Sequence, residues 1–130
     1  YGAEFTEEIS ALEAGMERFL DLSRDFIGSD NIRERKTNGV NTKLAYLVFD
    51  DQLPAECFGN EAVFFGDKLS GIITSGAYGY RVGHSIAFAY LKSEHCKEGT
   101  NLTVDTSIGV RKCHVSMSAS YDKDNEKLRV

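Results

Sequence analysis

Between two apolar runs lies Thr74-Ser75-Gly76-Ala77-Tyr78-Gly79-Tyr80-Arg81-Val82-Gly83-His84-Ser85, and no other stretch restricts the fold of this chain as much. Leu69, Ile72 and Ile73 lead in; Ile86-Ala87-Phe88-Ala89-Tyr90-Leu91 leads out. Glycine accepts positive φ and close backbone approach, so the stretch is expected to be a sharp connection between two strands, with Gly76 and Gly79 as its candidate left-handed positions. The tyrosines and the arginine give that bend recognition chemistry. The glycine spacing is not that of a phosphate loop, and no clear helix follows to supply a positive N-terminus.

The strands around this corner set the fold class. Residues 43–50, 61–66, 69–75, 85–91, 101–105 and 110–120 are rich in Val, Ile, Phe and Tyr and are separated by Gly, Asn and Asp. Gly66-Asp67-Lys68 reads as a hairpin turn. Six short strands at this spacing predict a mainly β (α+β) chain: a six-stranded antiparallel Greek-key barrel or jelly-roll-like domain, preceded by a short helical segment. Strict alternation selects Leu44, Tyr46, Val48, Val63, Phe65, Ile72, Ile86, Phe88, Leu102, Val104, Val115 and Met117 as the core.

Before residue 43 the texture is helical. Ile9, Leu12, Met16, Phe19 and Leu20 recur at helical spacing across residues 6–22, with Thr6 as a cap, although Gly15 weakens the helix and residues 19–22 read equally well as a short strand. A second, basic helix is expected after Ser29 or Asp30 as cap, stopping at Asn38-Gly39, its Arg33, Arg35 and Lys36 facing solvent.

The balance of charge excludes one class of partner. A formal net charge of -5 over 130 residues leaves no basic footprint for nucleic acid. The longest wholly apolar runs, residues 44–49 and 86–91, fall far short of the roughly 20 residues that span a bilayer, so no membrane partner is expected. Cys57, Cys96 and Cys113 are odd in number and widely spaced, which argues against a disulfide framework and for a reducing compartment. His95-Cys96 and Cys113-His114 resemble zinc-ligand pairs, but neighbours on a strand point to opposite faces, so each pair supplies one ligand at most and no metal site is expected.

Several motifs in fixed order carry a resemblance. Thr74-Ser75-Gly76-Ala77-Tyr78-Gly79-Tyr80, Val82-Gly83-His84-Ser85-Ile86-Ala87 and Ala89-Tyr90-Leu91 resemble the TSGAYGYSVGKSIAYAYL segment of dimethylglycine and sarcosine dehydrogenases, and more loosely the glycine-cleavage aminomethyltransferases. Tyr1-Gly2, Leu12-Glu13-Ala14-Gly15-Met16 and Asp25-Phe26-Ile27-Gly28 upstream are similar to the same family. So are Gly99-Thr100, Tyr121-Asp122, Asn125 and Leu128-Arg129 downstream. The chain has Ala11 and Lys123 where the family carries proline, and His84 where the family usually carries lysine.

The resemblance implies more than these residues contain. It implies tetrahydrofolate bound in a pocket bounded by several domains, with FAD in an upstream domain if the parent is a dehydrogenase and no cofactor held by this piece alone. Residues 1–42 would be the incomplete end of the folate-binding domain and residues 43–130 the complete terminal barrel, with the upstream domains of the same chain and the small-molecule folate as partners. It places Tyr1, Glu13, Tyr78 and Arg81 among cofactor-binding residues, Arg81 as a cation for the anionic glutamate tail, and puts no catalytic residue here, since the family's reacting carboxylates lie upstream of Tyr1. It also implies a bacterial cytoplasmic or mitochondrial matrix location. The other reading is a free-standing barrel used only for binding or assembly.

Overall fold

In the computed structural model, which describes residues 2–129, strands β1 (Thr42–Phe49), β2 (Ala62–Phe65), β3 (Lys68–Gly79), β4 (His84–Lys92), β5 (Asn101–Thr106) and β6 (Gly109–Ser116) follow helix α1 (Ser29–Asn38). They close into a barrel in the order β1-β4-β3-β2-β5-β6, every pair antiparallel. Three hairpin-linked strands with the preceding strand returned beside the last is a Greek key, and closure leaves no strand edge unpaired. The Gly66-Asp67 loop between β2 and β3 is the expected hairpin, with Gly66 at φ 58°.

The interior differs from the expected core. Val63, Leu102, Val104 and Val115 point inward as alternation required, but β1 and β4 bury Ala45, Leu47, Phe49, Ala87, Ala89 and Leu91 instead. Leu44, Tyr46, Val48 and Ile86 are only half-buried on the outer face, and Phe65, Ile72, Phe88 and Met117 are exposed. The reason is size. On β4 the narrow barrel takes Ser85, Ala87 and Ala89 on its inner face and leaves Ile86, Phe88 and Tyr90 outside, while on β1 both faces are apolar and the inner one carries Ala45, Leu47 and Phe49. In β3 the buried residues are Ser70 and Ile73, and a bulge at Thr74 shifts the register with β4.

The corner also differs. β3 runs on through Gly79, so only residues 80–83 form the connection, and the left-handed glycine is Gly83 at φ 75°, not Gly76 or Gly79. Those two are small for another reason. A Cβ on Gly76 would stand 2.9 Å from the Cys57 Cβ, and one on Gly79 would stand 2.5 Å from the Val82 Cγ2.

The leading segment forms neither the helix nor the strand expected of residues 6–22. It is a series of turns with one 3-10 turn, Glu17–Phe19, because Gly15 takes φ 71° and stops helical continuation. α1 stands where expected, but Gly28, at φ 88°, precedes it and no side chain caps it. Its cations do not simply face solvent. Arg33 donates to the Leu22 and Arg24 carbonyls and to Asp25 and Asp30 at 2.8–3.2 Å; Arg35 pairs with Glu13 at 3.2 Å and Lys36 with Glu17 at 2.7 Å. α1 thereby clamps the turns before it, and the Leu44 amide donates to the Glu13 carbonyl at 2.8 Å to join them to β1.

Candidate functional site

The large outward residues of β1 and β4 make a groove. Tyr46, Ile86 and Phe88 form its floor, the Tyr46 and Phe88 rings lying 5.6 Å apart, and the chain leaving β6 at Ser116 and running to Tyr121 forms its far wall. Its volume is about 570 Å³, within the size range of small-molecule sites. The turn after β3 closes one end with Arg81 and Val82. A hydrogen bond of 2.8 Å between the Tyr46 and Ser120 hydroxyls fastens wall to floor.

The rim is cationic. The Tyr121 phenol oxygen accepts from Arg81 Nη1 and from Lys127 Nζ, each at 3.0 Å, and both cations lie over its ring at 5.3 and 4.5 Å. The hydrogen bond from Lys127 leads in drawing the phenol below the ordinary tyrosine range, with Arg81 adding to it. A hydroxyl has one proton to give and two lone pairs to receive with, so Tyr121 retains only its donor. An apolar floor beside a phenol donor and two cations suits a flat organic body that ends in an anionic oxygen.

The residues singled out by sequence are divided by the fold. Arg81 lines the groove; Tyr78, half-buried on β3, sets its ring edge-on to Tyr80 at 5.1 Å beside the same turn. Tyr1 lies outside the described residues. Glu13 is at the other end of β1, about 25 Å from that turn at the usual rise per strand residue. Its carboxylate accepts from the Ser10 amide at 2.9 Å, the Ser10 hydroxyl at 2.6 Å, Thr42 at 3.3 Å and Arg35 at 3.2 Å. Burial pushes this carboxyl up, but the Ser10 and Thr42 hydrogen bonds and the Arg35 charge outweigh it and hold it below the usual glutamate range. A depressed folded value contributes stability that is present above the unfolded value and lost as pH falls through the folded one. Glu13→Gln should therefore lower stability by about 1 kcal/mol at pH 7, and the gap from the parent chain should close in acid. Urea midpoints across the acid range test this; a gap that widens towards low pH would contradict it.

Sequence reasoning missed a second polar cluster at the end of the barrel next to the groove. Arg111, 4% exposed on β6, makes a forked pair with Asp51 at 2.6 and 3.0 Å, donates to the Ala55 carbonyl at 2.7 Å, and stacks on Phe49 at 4.2 Å. The Ser85 hydroxyl accepts from Arg111 at 3.2 Å and lies 3.0 and 2.7 Å from the Leu53 and Ala55 carbonyl oxygens. His84 Nδ1 faces two carbonyl oxygens, of Phe49 at 2.9 Å and Asp51 at 3.2 Å, and so must carry the proton. Together these groups pin residues 50–56 across the barrel end. The available signal was Arg111 itself, a charge in register with the inward Cys113 and Val115.

Among the described residues no three His, Cys, Asp or Glu side chains gather as a metal ion requires. Of the pairs weighed as ligands, His95 bonds the Ser70 hydroxyl at 2.8 Å, His114 bonds Asp50 at 2.8 Å, and Cys113 is wholly buried in the barrel. Among the described residues no helix is long and apolar enough to cross a membrane.

Fold and groove together define a Greek-key barrel domain with an apolar outer face and a cationic rim. The chain belongs to the glycine cleavage T-protein C-terminal barrel family, whose model matches residues 43–122. It is 35% identical over 108 residues to mitochondrial dimethylglycine dehydrogenase of Mus musculus, covering 81% of this chain and 12% of that protein. It is 33% identical over 106 residues to the aminomethyltransferase of Aquifex aeolicus, covering 81% and 29%. The aminomethyltransferase of Alkaliphilus oremlandii is 27% identical over 129 residues, covering 98% and 34%. The crystal structure of the glycine cleavage system aminomethyltransferase T from Bartonella henselae has the same fold, with a TM-score of 0.83 over 94% of this chain and 35% of that one at 16% identity. The chain thus spans between about a tenth and a third of the length of these relatives.

Proposed function

We propose that this chain is the C-terminal part of a tetrahydrofolate-dependent enzyme that handles one-carbon units from N-methyl amines, of the sarcosine or dimethylglycine dehydrogenase kind. In this reading residues 1–42 end the folate-binding domain and residues 43–130 supply wall and lid to a pocket shared with upstream domains. The observation that carries it is the groove between β4 and the tail, where an apolar floor meets Arg81, Tyr121 and Lys127. Folate is a flat ring system ending in glutamate carboxylates, and the groove offers apolar surface to the body and charge-assisted donors to the tail. Tyr78 packs on Tyr80 beside the turn that presents Arg81, and Tyr1 and Glu13 are proposed as folate-binding residues of the leading segment, Glu13 acting at a distance from the groove. The methyl oxidation, with its FAD, belongs upstream. The location proposed is the bacterial cytoplasm or the mitochondrial matrix.

One observation favours a second parent. One aminomethyltransferase aligns along 98% of this chain, leading segment included, and another along 81%, the same share as the mouse dehydrogenase, so a glycine-cleavage aminomethyltransferase is the alternative parent.

Isothermal titration of this 130-residue chain with tetrahydrofolate tests the division of labour. Losing two or three contacts at about 1 to 3 kcal/mol each moves a micromolar site towards millimolar, so binding should be weak and turnover absent. Micromolar affinity here would overturn the shared pocket. In the full-length parent, Arg81→Ala should weaken folate binding about tenfold and Tyr78→Ala by less, both with an unchanged melting temperature. Unchanged affinity in both would remove the groove from the folate site.

A further inference from the structure

The sulfur atoms of the chain differ sharply in what an oxidant can reach. Cys57 and Cys113 are buried at 4% and 0% exposure, and burial pushes their thiols up to about 11 and about 12, so little thiolate is present at neutral pH. Cys96 is raised by the same cause and lies near the carbonyl oxygens of Lys43, Leu91 and Lys92. A thioether needs no deprotonation. The two methionines are Met16, 37% exposed on the leading segment, and Met117, 71% exposed and lining the groove. The Met117 amide is anchored to the Glu98 carboxylate, which fixes its backbone while the side chain stands at the groove wall.

We propose that Met117 is a peroxide-sensitive modification site that switches the groove from apolar to polar, a regulation resting on the reading of that groove as a ligand site. The sulfur lone pair attacks one oxygen of hydrogen peroxide and the O–O bond breaks. Sulfur is oxidised by two electrons to the sulfoxide, and the peroxide is reduced to water. The product is a polar, chiral group beside Phe88 and Ile86, where the apolar body of a ligand would lie, and methionine sulfoxide reductases can reverse it. Met16 lines no part of the groove and serves as an internal control.

The chain is treated with hydrogen peroxide, quenched with catalase, and divided between peptide mass mapping and titration with 1-anilinonaphthalene-8-sulfonate, an apolar anion. Met117 should gain oxygen about fivefold faster than Met16 and ahead of all three cysteines, and the probe should bind about tenfold more weakly afterwards. Affinity should return with the two classes of methionine sulfoxide reductase together, one for each sulfoxide epimer, and Met117→Leu should bind the probe insensitively to peroxide. Oxidation first at Met16 or a cysteine, or probe binding that is absent beforehand or unchanged after Met117 is oxidised, would overturn the proposal. Because no folate enters this experiment, its outcome is separate from that of the tetrahydrofolate titration.

Discussion

Replacing Gly71 with alanine should be the most damaging single-methyl addition in the barrel, costing about 3 kcal/mol or more and lowering the melting temperature by about 10 °C. Its new Cβ would stand 1.9 Å from the Tyr90 carbonyl oxygen, 2.8 Å from the Tyr90 carbonyl carbon and 2.9 Å from the Leu91 Cα. All three are backbone atoms of the strand that β3 pairs with, so no rotamer change relieves them and the two strands must part. Gly76→Ala, which meets the Cys57 side chain and backbone at 2.9 to 3.2 Å, should cost less. Gly79→Ala should cost less again, because its nearest clash is the end of the Val82 side chain. Thermal scans of the three variants give the order directly. A Gly71→Ala chain that melts with the parent would mean that β3 and β4 are farther apart than described.

Arg111→Ala should rank with it. Removing one partner of a buried ion pair costs about 3 to 5 kcal/mol, and the lower end applies because the Asp51 side chain is 35% exposed and water screens what remains. Removing Arg111 also leaves the Leu53 and Ala55 carbonyls to share the single proton of the Ser85 hydroxyl, so a protease should cut within residues 51–56 of the variant faster than in the parent. Arg111→Lys keeps the charge without the fork and should recover less than half of the loss. The pH dependence has a definite sign. The Arg111 hydrogen bonds are the main cause holding the Asp51 carboxyl below its usual range, so the pair stabilises above the unfolded aspartate value and weakens as pH falls through the folded one. In Arg111→Ala that part of the acid sensitivity should vanish; an unchanged melting temperature and acid limb would make the cluster incidental.

Strand number, strand order class and the β2–β3 hairpin were legible because turn residues and β-branched residues mark themselves locally. Which face of β1 and β4 points inward was not. Both faces of these strands are apolar, so alternation alone does not choose between Tyr46, Ile86 and Phe88 on one face and the inward Ala45, Ala87 and Ala89 on the other. The positive-φ corner was placed a turn too early, since a glycine required by crowding and one required by φ look alike in sequence. Of the residues lining the groove, Arg81 was singled out through the resemblance to a family, while Tyr78 belongs to β3 and does not line it. Tyr121 and Lys127 were not singled out as partners of Arg81, because their meeting depends on how the chain after β6 folds back over β4.

The strand order also bears on how quickly the chain can find its fold. β2, β3 and β4 are joined by tight turns, as are β5 and β6, so these two units close through contacts between near neighbours in sequence. β1 lies between them, Tyr46 facing Phe88 on one side and Ser116 on the other. A strand held by two such distant partners has no local nucleus of its own, so its insertion is expected after both units have formed. Seating β1, together with the equally non-local pairing of β2 with β5, is expected to seal the barrel late, with the inward alanines of β4 and the thiol of Cys113 open to solvent until then.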